Sequence, residues 1–128
     1  MGLNKTLIRS HGGSQATAHW WMTRLTSIAL IPLTFYFVFS LIRVAGADYE
    51  VMALWIAWPF NTVMLVLFLA VSFYHAAQGL QEVIEDYVHN KTYKMVALLV
   101  MKAMLALWGA AAVIAVIRVA CAGGAHHG

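Results

Sequence analysis

Phe60-Asn61-Thr62-Val63-Met64-Leu65-Val66-Leu67-Phe68-Leu69-Ala70-Val71-Ser72-Phe73-Tyr74-His75-Ala76-Ala77-Gln78-Gly79-Leu80 decides the fold. It carries no acidic or basic residue except one histidine, and it matches the roughly 20 residues that a helix needs to cross a hydrocarbon layer. The helical reading runs on through Gln81-Glu82-Val83-Ile84-Glu85-Asp86-Tyr87, where charge returns. Two other stretches of the same kind flank it, at 25–44, with Pro32 in its first turns, and at 95–119. Short polar connectors at about 45–52 and 85–94 join them. Short links between long apolar helices make antiparallel neighbours. The expectation is an all-α integral membrane protein with three transmembrane helices in an up-down-up bundle. Its spans lie at about 22–44, 58–87 and 95–119, after an N-terminal segment 1–21 and before a short C-terminal tail. Pro59 suits the first turn of the second helix, where a missing N–H costs nothing.

Composition agrees. Of 128 residues 62% are hydrophobic and 10% charged, against about a quarter charged in soluble domains. One domain is expected at this length. A net charge of +3, scattered along the chain, makes no basic stripe for nucleic acid; the natural surroundings are membrane lipid. Cys121 is the single cysteine, so an internal disulfide is excluded, and a minor packing role is expected for it. A cleaved leader ending near Ala45-Gly46-Ala47 is disfavoured, because the preceding basic region and apolar run are both too long.

Lys5, Arg9 and Arg24 precede the first span, and Lys91, Lys94 and Lys102 follow the second; only Arg43 and Arg118 lie at the other side. The positive-inside rule puts the N-terminus and second connector in the cytoplasm and the C-terminus in the periplasm. Trp20 and Trp21 then suit the inner interface, and Trp55 and Trp58 the outer one.

Ionisable groups inside a membrane are costly and rare, so each is a functional candidate. His75 lies on the inner half of the second span. Asp86 falls about three turns further on, roughly 20° off its azimuth and about 16 Å along the axis, with Tyr87 beside it. Arg24 reaches a similar inner level on the first span, so these four residues are expected to converge there. Each has a plainer reading. A histidine in a span can simply bond a neighbouring helix; Arg24 can snorkel, and Asp86-Tyr87 can be an ordinary helix end. Glu82 and Glu85 are expected to be solvated or paired with Lys91 and Lys94, and Lys102 to reach the interface. Imidazole is also an axial ligand of haem. The remaining histidines, His11, His19, His89, His126 and His127, are terminal or interfacial, so a second ligand has to come from another chain. No phosphate loop, metalloprotease motif or nucleophilic triad is present.

Two motifs resemble a known family: His75-Ala76 with Gly79 and Asp86-Tyr87, in the spacing His-x3-Gly-x6-Asp-Tyr, and Arg24-Leu25-Thr26-Ser27-Ile28-Ala29-Leu30, preceded by His19-Trp20-Trp21-Met22. With the size and three spans, they resemble the hydrophobic membrane anchor (D) subunits of proteobacterial succinate dehydrogenase, respiratory complex II. The resemblance implies a subunit of a succinate:quinone oxidoreductase in the inner membrane, without activity of its own and with no catalytic residue. Its partners would be a flavoprotein carrying FAD, an iron–sulfur subunit and a cytochrome b-type C subunit, the second anchor against which it packs. It implies that His75 is one axial ligand of a haem b shared with the C subunit. Tyr87 would hydrogen-bond ubiquinone, with Asp86 just behind it, and Arg24 would sit near the haem propionates or quinone pocket. A purely structural anchor, a fumarate reductase anchor and a proton-channel subunit are the competing readings.

Overall fold

A computed structural model describes the backbone of residues 2–125 and the side chains of residues 15–125. Lys5, Arg9, His11, His126 and His127 therefore lie outside the described side chains. Four helices follow in order, α1 (Gly2–Val44), α2 (Tyr49–Ala57), α3 (Pro59–Tyr87) and α4 (Lys91–Ala125). Among the described residues, three helices contain segments long and apolar enough to cross a membrane, Gln15–Val44, Pro59–Tyr87 and Lys91–Ala125. Among the described residues there is no strand.

The second span matches the sequence expectation at both ends. Pro59 stands at the start of α3. At the far end Asn90 caps α4: its Oδ1 accepts from the backbone N–H of Thr92 at 2.9 Å and of Tyr93 at 3.4 Å. This is the usual way to satisfy the orphan donors of a first turn. The second connector thus shrinks to residues 88–90. The first span ends at Val44 as expected, and the remaining boundaries move outward. α1 continues through the segment expected to precede the first span, and α4 runs six residues past 119 to Ala125. Hydropathy marks where a helix meets lipid, whereas backbone hydrogen bonding carries a helix into water.

The first connector is the real departure. Gly46, with φ of 84°, turns the chain after α1, and Ala47 N–H donates to Val44 O at 3.0 Å. Glycine takes this left-handed conformation at no steric cost. The chain then forms α2, which at nine residues is about 13 Å long and too short to span. α2 packs on α4 and on the beginning of α3. Gly123 makes its approach to α4 close: a Cβ there would lie 2.8 Å from both Ala53 O and Ala57 Cβ.

α3 is the central element, packed against α1 on one side and α4 on the other, while among the described residues α1 and α4 do not pack extensively on each other. α1 and α3 run antiparallel, with His19 opposite Glu82, Thr26 opposite His75 and Tyr36 opposite Asn61. Phe37 stacks on Phe68, ring centroids 4.6 Å apart. Between α3 and α4, Gly109 lets the Phe73 ring come within van der Waals distance. Among the described residues the only buried apolar side chains are Val44, Ala53 and Leu65. Trp20, Phe35, Phe39, Trp58, Leu99 and Trp108 are all exposed. Lipid tails are as apolar as these side chains, so helices in a membrane associate through close packing and polar contacts rather than by expelling water.

Candidate functional site

A buried polar cluster lies between α1 and α3, at Thr26, His75 and Gln78. Thr26 and Gln78 are two of the most buried side chains, 8% and 5% exposed. Thr26 Oγ1 has four polar neighbours: Met22 O at 2.8 Å, Thr23 O at 3.0 Å, His75 Nδ1 at 3.0 Å and Gln78 Oε1 at 3.3 Å. Thr23 and Ser27 also donate back to carbonyls one turn earlier, His19 O at 3.0 Å and Thr23 O at 2.8 Å. Back-bonding of this kind lets hydroxyls sit in an apolar helix without orphaned donors. Gln78 follows His75 by three residues, so both reach the same neighbour across the helix pair.

His75 is half-buried, and its Nδ1 is the nitrogen turned toward α1. One turn on, Gly79 faces open space, with no described residue beyond its own turn of helix within 4 Å of where a Cβ would stand. An imidazole held at one nitrogen, beside an uncovered glycine, fits one axial ligand of a haem. Among the described residues no group of three or more His, Cys, Asp or Glu side chains gathers to hold a metal ion. The remainder of such a site would belong to another chain.

The four residues singled out in the sequence fall into two groups. The α1–α3 register sets Arg24 about 3 Å from the level of His75 and about 13 Å short of Asp86. The Arg24 guanidinium lies over the Trp20 ring, 4.9 Å from its centroid. This cation–π contact draws the charge back along α1 toward its N-terminus. Asp86 and Tyr87 end α3 in exposed positions, Tyr87 at 79% exposure. Neither bonds another described residue, so within this chain they do not close on His75. Between the two groups His19 Nε2 meets Glu82 Oε1 at 3.4 Å, and Glu85 accepts from Gln81 Nε2 at 2.9 Å. Glu82 and Glu85 are exposed, as expected of solvated carboxylates, and their contacts are to His19 and Gln81 instead of the basic partners Lys91 and Lys94. Lys102 and Cys121 are exposed on α4.

Sequence reasoning missed Thr26 and Gln78 as members of the site. The signal was present in Gln78, an amide in an apolar span three residues from the histidine. Thr26 could be found only from the register between α1 and α3. A cavity of about 300 Å³ lies at the opposite end of the chain, lined by Tyr49, Glu50, Ala53, Leu54, Ala122 and Gly123. It is a packing feature of α2 and α4, remote from His75.

Comparisons with known proteins agree with one another. Residues 1–118 match the family model described as succinate dehydrogenase/fumarate reductase transmembrane subunit. The chain is 25% identical over 113 residues to the succinate dehydrogenase hydrophobic membrane anchor subunit of Rickettsia typhi, covering 86% of this chain and 90% of that one. The succinate dehydrogenase membrane anchor subunit of Reclinomonas americana is 26% identical over 98 residues, 74% of this chain and 79% of its own. The Paracoccus denitrificans hydrophobic membrane anchor subunit is 29% identical over 80 residues, 62% of each chain. No solved structure matches. With the family pattern running from the first residue almost to the end of α4, and three apolar helices to carry it through a bilayer, the chain belongs to the succinate dehydrogenase/fumarate reductase transmembrane subunit family and is a multi-pass membrane protein.

Proposed function

We propose that the chain is the hydrophobic membrane anchor of a succinate:ubiquinone oxidoreductase, and that it supplies half of a haem b site and part of a ubiquinone site. The observation that carries the reading is the setting of His75, in the middle of an apolar helix with Nδ1 on a threonine hydroxyl and its surroundings open at Gly79. A purely structural anchor would use only the Nδ1 contact to Thr26 across the helix pair, whereas ligation also gives the second ring nitrogen a task. His75 is one axial ligand, the other coming from a cytochrome b-type C subunit; flavin and iron–sulfur clusters reside in the two remaining subunits. When bound, the haem supplies a one-electron redox centre.

The end of the chain that carries Arg24, Tyr87, Lys91, Lys94 and Lys102 faces the cytoplasm, following the basic residues. Tyr87 therefore stands where quinone meets water and protons. Its phenol donates a hydrogen bond to a quinone carbonyl as negative charge develops there, the kind of stabilisation that acts most strongly when the donor is already aimed. Asp86, next to it, holds a proton-accepting group at the same interface. Arg24, near the level of His75, places a cation where an acidic substituent of the haem can meet it.

The test is a reduced-minus-oxidised spectrum of the purified assembled complex carrying His75→Ala. Loss or alteration of the b-type signal is expected. An unaltered spectrum and redox potential would exclude axial ligation by His75.

A further inference from the structure

We infer that Thr26 is a positioning residue that fixes the tautomer of His75, keeping the proton on Nδ1 so that Nε2 is the nitrogen offered to iron. The inference rests on the haem reading above and deepens it.

The argument is a count of hydrogens. A threonine hydroxyl has one hydrogen and two lone pairs. Around Thr26 Oγ1, Met22 O, Thr23 O and Gln78 Oε1 lie at 2.8, 3.0 and 3.3 Å. All three are carbonyl oxygens, which only accept, and they compete for that single hydrogen. His75 Nδ1 is the fourth neighbour, at 3.0 Å. Without a hydrogen it would be a fourth acceptor in a buried cluster with one donor, and the lone pairs of Oγ1 would face nothing that donates. With a hydrogen, Nδ1 donates to an Oγ1 lone pair, and the single hydroxyl hydrogen is left for the carbonyl oxygens, so Nδ1 no longer adds to the acceptors that compete for it. A neutral imidazole protonated at Nδ1 is unprotonated at Nε2.

The hydroxyl is well placed to hold this arrangement. Its shortest contact is to Met22 O, one turn back on its own helix, so the backbone of α1 aims the oxygen at α3. Gln78 Oε1, in the most buried side chain of the three, keeps a further acceptor against the hydroxyl and so discourages the other tautomer. Ligating histidines characteristically donate their second N–H to an outer partner, which sets the ring orientation and raises the basicity of the ligand. Here that partner comes from α1, and the ligand from α3.

The test uses the assembled complex with Thr26→Val, which keeps the shape and removes the oxygen, and Thr26→Ser, which keeps the hydroxyl. In the Val variant haem retention falls by about tenfold, the lower end of outer-partner losses. The midpoint potential rises, because a less basic ligand favours ferric iron less. The low-spin ferric electron paramagnetic resonance signal shifts. The Ser variant restores all three. Should Val fail to assemble, Thr26→Ser and Thr26→Ala differ only by the hydroxyl, and their difference gives the same reading. Equal potentials and signals in Ser and Ala, or a Val variant identical to the parent, overturn the role of Thr26. If His75→Ala still abolishes the haem signal in that case, axial ligation stands without it. If His75→Ala leaves the signal untouched, both readings fall.

Discussion

Gly123→Ala tests a place where two helix backbones of this chain meet without room for a side chain. The added Cβ would stand 2.8 Å from Ala53 O and 2.8 Å from Ala57 Cβ. Neither is the loose end of a flexible side chain, so α2 has to move away from α4. Overpacking of this kind costs about 1–3 kcal/mol. The alanine also removes a glycine from a helix, which returns up to about 1 kcal/mol. Gly124→Ala separates the two effects. It makes the same change in propensity one residue on, and its Cβ meets nothing within 4 Å. The difference between the variants therefore reports the overlap alone. Hydrogen exchange of the α2 amides in the assembled complex reads it locally, since opening of a packed element is what exposes its amides. A loss of 1–3 kcal/mol corresponds to protection lowered by roughly 5- to 150-fold in Gly123→Ala relative to Gly124→Ala. Equal protection in the two variants, or greater protection in Gly123→Ala, would refute the close approach. The register of α3 on α4 places Gly123 about 24 Å along the axis from His75, so the haem signal should not change.

Two further predictions concern the two ends of α3. Tyr87→Phe keeps an exposed aromatic ring and removes the phenol, so quinone reductase turnover should fall while the haem spectrum of the complex is retained; turnover equal to the parent with ubiquinone would remove Tyr87 from the site. At the other end Asn61 accepts from Tyr36 OH and donates through Nδ2 to Trp55 O at 2.8 Å, tying α1, α3 and α2 together. Asn61→Leu should lower the thermal stability of the complex by about 0.6–1.7 kcal/mol, the range for interhelical hydrogen bonds in a membrane, and a melting profile matching the parent would count against the bridge.

How much could be read without coordinates depended on the kind of signal. The apolar run before Leu80 and the proline at its start sufficed to place α3, because length and charge are properties of a single segment. α2 was hidden for the same reason. Tyr49-Glu50-Val51-Met52-Ala53-Leu54-Trp55-Ile56-Ala57 is apolar enough to look like the approach to a span, and nothing local separates it from the residues of α3 that follow. Gly46 was the clue, as a residue that turns the chain. At the site, His75 stood out as an imidazole in hydrocarbon, and Arg24 came at its level as expected. The contacts that give it a chemical setting did not stand out. Thr26 and His75 are 49 residues apart, and their meeting depends on the pairing of α1 with α3. Glu82 is solvent-exposed, as one of its two expected settings had it, but its partner His19 was not foreseen for that reason too: sequence neighbours are visible in a string, and a residue across the helix pair is not.

The central position of α3 bears on how the protein is made. Because α1 and α4 each pack on α3 and, among the described residues, not extensively on each other, a chain still emerging from the ribosome can complete the α1–α3 pair, with Thr26 against His75, before α4 is synthesised. The setting of His75 on α1 can therefore be formed while the last helix is still unborn, and under the proposed function this is the half of the haem site that the chain would supply. α4, with α2 clasped to it at Gly123, closes the chain afterwards from the opposite side.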